Sequence, residues 1–184
     1  MAQTYVPDDN FEKELIEQGY DAILDDSVTT ANIDTVISLD VNNLNISDLT
    51  GIEDFTALTR LDCEQNKLIT LDLSQNIALN YLDIDANTLT SLDVSSNTAL
   101  TFLECADNQL TSLDLSLNVA LTEFYCENNL LTSLDFRNGN NTLVVAFSTI
   151  GNPNLTCINA DDAAYSTANW TNIDAQTSFN EDCS

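Results

Sequence analysis

From residue 58 the apolar positions fall in blocks that repeat, with Leu58, Leu79, Leu100 and Leu121 standing 21 residues apart. The first block reads LTRLDCEQNKLITLDLSQNIA, the second LNYLDIDANTLTSLDVSSNTA and the third LTFLECADNQLTSLDLSLNVA. The fourth begins LTEFYCENNLLTSLDF and then breaks into RNGNN. The shared pattern is L-x-x-L-x-(C/I)-x-x-N-x-L-x-x-L-D-(L/V)-S-x-N. A unit this short cannot bury its own leucines, so the pattern predicts turns of a coil that bury them against one another. The second half of each unit nearly copies the first, and its T/S-L-D-L-S run alternates with period 2 and not 3.6. That predicts extended segments on the wall opposite the main strands, without long helices.

The first half matches the leucine-rich-repeat signature L-x-x-L-x-L-x-x-N/C-x-L in four consecutive units. The predicted fold is therefore a leucine-rich-repeat solenoid of α/β class, mostly β. It is right-handed, has about six turns, carries a parallel concave sheet, and is capped helically at both ends. A solenoid needs caps because its terminal layers expose strand edges and leucines. PDDNFEKELIEQGYD (7–21) reads as an N-terminal helix begun by Pro7-Asp8-Asp9, with Phe11, Leu15 and Ile16 on one face; a second short helix is expected over 29–36. At the far end Val144 and Phe147 face inward, 160–170 reads as a short helix, and Trp170 and Phe179 close the last turn. The whole is one domain over 1–184, with a cap at 1–37, an irregular first repeat at 38–57, four 21-residue repeats at 58–142 and a cap at 143–184.

Thirty acids against 4 bases leave a formal charge of −26, which argues against nucleic acid and anionic membranes, whose phosphates need Lys and Arg. No apolar run approaches the ~18 residues of a membrane span, so no membrane insertion is expected. There is no histidine, which removes the commonest general base and metal ligand. No nucleophile–base pair or glycine-rich phosphate loop stands out either, so the chain does not read as an enzyme.

Placing the repeats in register gives three outward columns on the concave face. One holds Ser38, Arg60, Tyr81, Phe102 and Glu123. The next holds Asp40, Asp62, Asp83, Glu104 and Tyr125, and the third Asn42, Glu64, Asp85, Ala106 and Glu127. From these come the candidate ligand-binding residues: Arg60, Asp62, Glu64, Tyr81, Asp83, Asp85, Phe102, Glu104, Glu123, Tyr125 and Glu127. Aromatics on a rigid face suit a protein partner or a stacked sugar.

Other clusters read as structure. Cys63, Cys105 and Cys126 share one repeat position with Ile84, so they read as core. Asn66, Asn87, Asn108 and Asn129 form one ladder and Asn76, Asn97 and Asn118 a second, satisfying backbone groups where the coil turns. DIDAN (83–87) resembles the first half of a calcium loop, but Thr88 replaces the needed glycine and Val94 the bidentate glutamate. Asp72, Asp93, Asp114 and Asp135 stack on the opposite wall as a solvated polar face, with calcium bridging as the minority reading. No cofactor or metal site is expected, beyond surface calcium. Cys157 and Cys183 lie in the C-terminal cap and are expected to form a disulfide, which fits an oxidising compartment.

The stretch VTTANIDTVISLDVNNLNISDLTGIEDFTALTRLDC, the LDLSxN units and the NPNLTCI…YSTANWTNIDAQTSF…EDC end resemble secreted leucine-rich-repeat proteins of flavobacteria and their Bacteroidota relatives. The N-terminal cap followed by NISDLTGIE also resembles internalins, more loosely. The resemblance implies a secreted or cell-surface binding role and brings no catalytic residues. Such proteins carry a signal peptide and a C-terminal sorting domain; neither is in this sequence, so a trimmed repeat domain is expected. The expected function is a non-catalytic extracellular scaffold, a monomer, recognising a protein through its concave face. The alternatives are a carbohydrate-binding adhesion module or a calcium-dependent surface protein.

Overall fold

The structure, a computed structural model, describes residues 1–183. The chain opens with strand β1 (Gln3–Tyr5), helix α1 (Asp9–Glu17) and strand β2 (Ser27–Thr29), and β1 pairs antiparallel with β2. The coil then runs through β3 (Ser38–Asp40), β4 (Arg60–Asp62), β5 (Tyr81–Asp83) and β6 (Phe102–Glu104). It continues through β7 (Ser112–Asp114), β8 (Glu123–Tyr125), β9 (Ser133–Phe136), β10 (Ala146–Ser148) and β11 (Cys157–Ala160). Helix α2 (Ala163–Asn169) and β12 (Ser178–Asn180) finish it.

Two parallel sheets form the walls. A 6-stranded sheet has the order β3-β4-β5-β6-β8-β10, and a 4-stranded sheet on the opposite wall has the order β7-β9-β11-β12. Leucines set the register: Leu39, Leu61, Leu82 and Leu103 are successive partners, followed by Phe124 and Phe147. All six are buried. Each fully buried Leu or Phe contributes about 1.5–3 kcal/mol relative to exposure, and no single turn could gain that alone.

The expected coil of about six turns extends to a seventh. Ser148 makes a parallel bridge to Asn172, one strand position beyond β10. The segment read as a C-terminal cap also continues the coil, since β10 pairs in register with β8 and β11 with β9. On the opposite wall the extended segments are strands only from β7 onward; the matching stretches around Asp72 and Asp93 make no ladder.

The N-terminal cap differs in detail from its sequence reading. Helix α1 is shorter than 7–21; Asp8 caps it, its carboxylate accepting from the N–H groups of Asn10 and Phe11. Phe11 and Leu15 are buried, whereas Ile16 is only half-buried. The helix expected over 29–36 is a single 3₁₀ turn, Thr30–Asn32. Glu12 is fully buried, because its carboxylate accepts from three backbone N–H groups, those of Asp25, Asp26 and Ser27, and so fastens the loop before β2. Gly51 (φ 105°) lies so close to β1 that a Cβ would meet the Tyr5 carbonyl oxygen at 2.8 Å. At the other end Phe124, Phe136, Phe147, Trp170 and Phe179 pack ring on ring, with Phe147 and Trp170 stacked at 4.4 Å. A Cys157–Cys183 disulfide joins the cap (Cα–Cα 5.8 Å). Its 26-residue separation corresponds to about 3 kcal/mol in the chain-entropy view.

The Asn ladders are the coil's fixings. Asn87 accepts from Leu68 N–H and donates to the carbonyls of Cys63 and Ile84; Asn108 does the same with Leu89, Ile84 and Cys105. Asn152 continues the ladder, accepting from Leu131 N–H and donating to the Cys126 carbonyl. Just before each ladder residue the backbone is left-handed, at Gln65, Ala86, Asp107, Asn128 and Gly151. The second ladder likewise donates backwards: Asn97 to the carbonyls of Leu73 and Asn76, Asn118 to those of Val94 and Asn97.

Candidate functional site

The strand register places the two main columns as the repeat spacing predicts. Arg60, Tyr81, Phe102 and Glu123 are successive partners across β4, β5, β6 and β8, and so are Asp62, Asp83, Glu104 and Tyr125. Ala146 and Ser148 extend the columns on β10. Glu64, Asp85 and Glu127 lie just past the strand ends, where the ladder continues through Gln65 N–H to the Asp85 carbonyl and Asp107 N–H to the Glu127 carbonyl. All eleven candidate positions therefore share one face. Cys157 and Cys183 do not join them; their bond belongs to the terminal cap.

The aromatics form a row. Tyr81 and Phe102 stack at 4.3 Å with rings 3° from parallel, and Tyr125 tilts against Phe102 at 5.9 Å. The Arg60 guanidinium lies 3.5 Å over the other face of Tyr81 and reaches Asp62 Oδ2 at 3.0 Å. In-register strands are about 4.8 Å apart, close to an aromatic stacking distance, so equal positions in successive repeats stack by default. Spacing alone places these residues in neighbouring strands; it does not reveal that the rings close on each other and on Arg60.

Asp62 and Asp83, read as outward residues, are in fact 9% and 8% exposed, being covered by their neighbours in the sheet. Their carboxyl groups are pushed upward, first by burial; for Asp62 the negative charges of Asp83 and Asp40 add to it. Asp85 moves the same way by burial and by the charge of Asp107. Glu104 is raised to about 7, by burial and then by Asp83, Asp85, Glu127 and Glu64. Asp62 Oδ1, Asp85 Oδ1 and Glu127 Oε2 are shielded from water and accept no well-formed hydrogen bond, although the Glu64 and Ala86 N–H groups lie near enough to Asp62 and Asp85 to favour their charge.

The opposite wall treats its acids differently. Asp72, Asp93 and Asp114 each accept from the N–H of the serine two residues on, at 2.9 Å. The carboxyl groups of Asp72 and Asp93 are lowered by these serine hydrogen bonds, and that of Asp135 by Arg137. A hollow of about 600 Å³ lies there, edged by Asp93, Asp114 and Asp135 with their serines. Among the described residues no group of three or more Asp, Glu or Cys side chains is arranged to hold a metal ion. Cys63, Cys105 and Cys126 are wholly buried and free, and burial pushes the thiols of Cys63 and Cys105 well upward. No helix among the described residues is long and apolar enough to cross a membrane.

No protein-family model matches the chain. It is 45% identical over 72 residues to internalin J of Listeria monocytogenes, a match covering 39% of this chain and 8% of that protein. A solved functional domain of Listeria monocytogenes InlJ, described as including a cysteine ladder, superposes with a TM-score of 0.72 at 37% identity, over 86% of this chain and 38% of that one. An internalin, InlF, from Listeria monocytogenes shares the fold alone, at 18% identity and a TM-score of 0.58 over 95% of this chain and 68% of that one. The chain thus covers well under half the length of these internalin J relatives. These relatives are Listeria proteins rather than flavobacterial ones. With the geometry above, they make the chain an internalin-like leucine-rich-repeat solenoid with turns of 21 residues.

Proposed function

We propose that this domain is a non-catalytic extracellular scaffold that recognises a protein partner through its 6-stranded face. The observation that carries the reading is the Arg60–Tyr81–Phe102–Tyr125 row, a rigid amphipathic strip standing among carboxylates. Strands, not loops, hold it, so little side-chain freedom is lost on docking. Aromatic and arginine side chains are those enriched at protein–protein hot spots.

The same stack weighs against the sugar reading. A sugar stacks on an open ring face, and both faces of Tyr81 are covered, by Arg60 at 3.5 Å and Phe102 at 4.3 Å. What the row offers outward is ring edges, a guanidinium edge and carboxylates, which suit the mixed surface of a protein. The Cys157–Cys183 bond supports an oxidising, extracellular setting. Flavobacterial origin rests only on the sequence resemblance.

The test is capture from a cell-surface protein pool by three forms of the domain: unaltered, Tyr81→Ala/Phe102→Ala/Tyr125→Ala, and an opposite-wall control, Asp93→Asn/Asp114→Asn. A partner held by the first and third forms and released by the second is the expected result. Retention by all three would sink the reading, and glycan-array binding lost in the Tyr81/Phe102/Tyr125 variant would turn it towards the sugar alternative.

A further inference from the structure

Four basic side chains serve the whole chain, and Arg60 alone sits on the 6-stranded face. Its pose is informative. The guanidinium lies flat on one ring of the aromatic row and turns its edge to a carboxylate of the next column. Two strands further on, the same two ingredients recur without a cation. Phe102 and Tyr125 provide rings tilted to each other at 5.9 Å, and Glu104 lies between Asp83 and Tyr125 in the register.

The carboxylates around that place lack partners. Asp85 Oδ1 and Glu127 Oε2, past the ends of β5 and β8, accept no well-formed hydrogen bond. Asp62, only 9% exposed and two strands away, is by contrast already engaged by Arg60 at Oδ2. Shielded oxygens without donors are costly to keep, so a fixed cluster of them is half of an interaction. Glu104 being held to about 7 says the same of charge, since its neighbours resist a further negative group.

We propose that the Glu104 end of this face seats an arginine side chain of the protein partner, placed against Phe102 and Tyr125 and hydrogen-bonded to Glu104, as Arg60 is placed against Tyr81 and Asp62. The proposal rests on the protein-binding reading and names the chemistry of the partner. It has a corollary in pH. Ionised Glu104 faces Asp83 on β5, Tyr125 on β8, and Glu64, Asp85 and Glu127 beyond the strand ends. An incoming cation favours the ionised form, so it expels the Glu104 proton where one is bound and binds more weakly as pH falls through about 7.

The test uses N-acetyl-arginine methylamide and its uncharged citrulline counterpart as probes, titrated into the domain with NMR detection of the Phe102 and Tyr125 ring signals in ~150 mM salt, where long-range attraction is screened. The arginine probe is expected to shift those signals and the citrulline probe to leave them in place. Affinity should fall by up to about tenfold from pH 8 to pH 6, as a group titrating near 7 goes from about nine-tenths to about one-tenth ionised. Glu104→Gln should weaken binding at pH 8 and flatten the pH dependence, with its melting curve checking that it folds. Asp93→Asn/Asp114→Asn, on the opposite wall, should change neither. Equal shifts with citrulline, full affinity in Glu104→Gln, or an equal loss in the opposite-wall variant would each overturn the proposal; the last would mean general attraction to a chain of charge −26. A protein partner that still requires Tyr81, Phe102 and Tyr125 but ignores Glu104 would overturn this inference and leave the protein-binding reading standing.

Discussion

On the 6-stranded face Asp40, Asp62, Asp83 and Glu104 lie strand against strand, while on the opposite wall Asp72, Asp93, Asp114 and Asp135 stack half a turn later. Both columns arise from the same copying of one unit, and both line up like charges. The opposite-wall carboxylates have work: Asp72, Asp93 and Asp114 close a turn by accepting the serine N–H two residues on, and Asp135 holds Arg137. The charge of Asp72, Asp93 and Asp135 is favoured where it stands, and solvent reaches the column. Asp62, Asp83 and Glu104 are crowded under rings and each other, and burial drives their protonation upward even though Asp83, like the opposite-wall acids, accepts the N–H two residues on. A repeated acid is therefore not evidence of function. What distinguishes the two columns is how deeply the fold buries the carboxylate and how many like charges it sets beside it.

The opposite wall should lose most when the buried amide at its turn is removed. Asn97→Ala removes two buried hydrogen bonds, to the carbonyls of Leu73 and Asn76, which then keep only their turn hydrogen bonds from the N–H groups of Asn76 and Leu79, and it leaves a void in the wall. A loss of about 2–4 kcal/mol is expected in chemical denaturation. If the buried amide matters no more than the exposed acids, the wall is not held as described. Next comes Asp72→Ala/Asp93→Ala/Asp114→Ala, which deletes three turn acceptors at about 0.5–1 kcal/mol each. The matching triple asparagine variant keeps an acceptor oxygen and should melt within a degree or two of the parent. Equal losses in both triples would mean that charge, not the turn, holds those residues.

The strand face should respond in the opposite sense. Glu104→Gln is expected to raise stability at pH 8, by on the order of 1 kcal/mol once solvent screening of this partly exposed group is discounted. Glu104 has its folded value raised from 4.5 to about 7, so the folded chain binds more protons between those limits. Its contribution is therefore lost as pH rises through that window. Asp72, Asp93 and Asp135 are lowered, so theirs is present above the ordinary aspartate range and lost as pH falls through and below it. Melting temperature followed from pH 8 to pH 3 should rise, pass a maximum near 5 and then fall, and Glu104→Gln should flatten the neutral limb. A melting temperature that falls steadily from pH 8 downward would contradict the contrast. The smallest expected effect is a few tenths of a kcal/mol gained by Ala86→Asn, because Ala86 holds a left-handed backbone (φ 53°) that asparagine tolerates better. The same change at Ala78, an ordinary turn position, should gain nothing.

Much of the fold was legible before any coordinates. The leucine spacing predicts the strand register residue by residue, because a coil of equal turns brings equal positions together. The ladder asparagines and the core cysteines follow from repeat position in the same way, whereas the disulfide follows from Cys157 and Cys183 lying outside the repeat in one cap. Legibility fails where the repeat fails. Residues 3–5 and 27–29 pair as a two-stranded sheet that no periodicity announces, and Glu12 reads as a surface acid until the loop from Asp25 to Ser27 folds over it. The seventh turn escapes because it survives as one bridge, Ser148 to Asn172, without its leucine.

By itself, then, the sequence determined the turn length, the register and which side chains share a face, since these follow from copying one unit and burying its leucines. Only the tertiary structure decided what the residues of a face do to one another. Strand spacing lays Tyr81 against Phe102, leaves Arg60 over the remaining ring, and puts Glu104 among charges while its opposite-wall counterparts stay wet. Distances of a few ångströms and exclusion of water set those properties, and both come from neighbours that lie about 21 residues away along the chain.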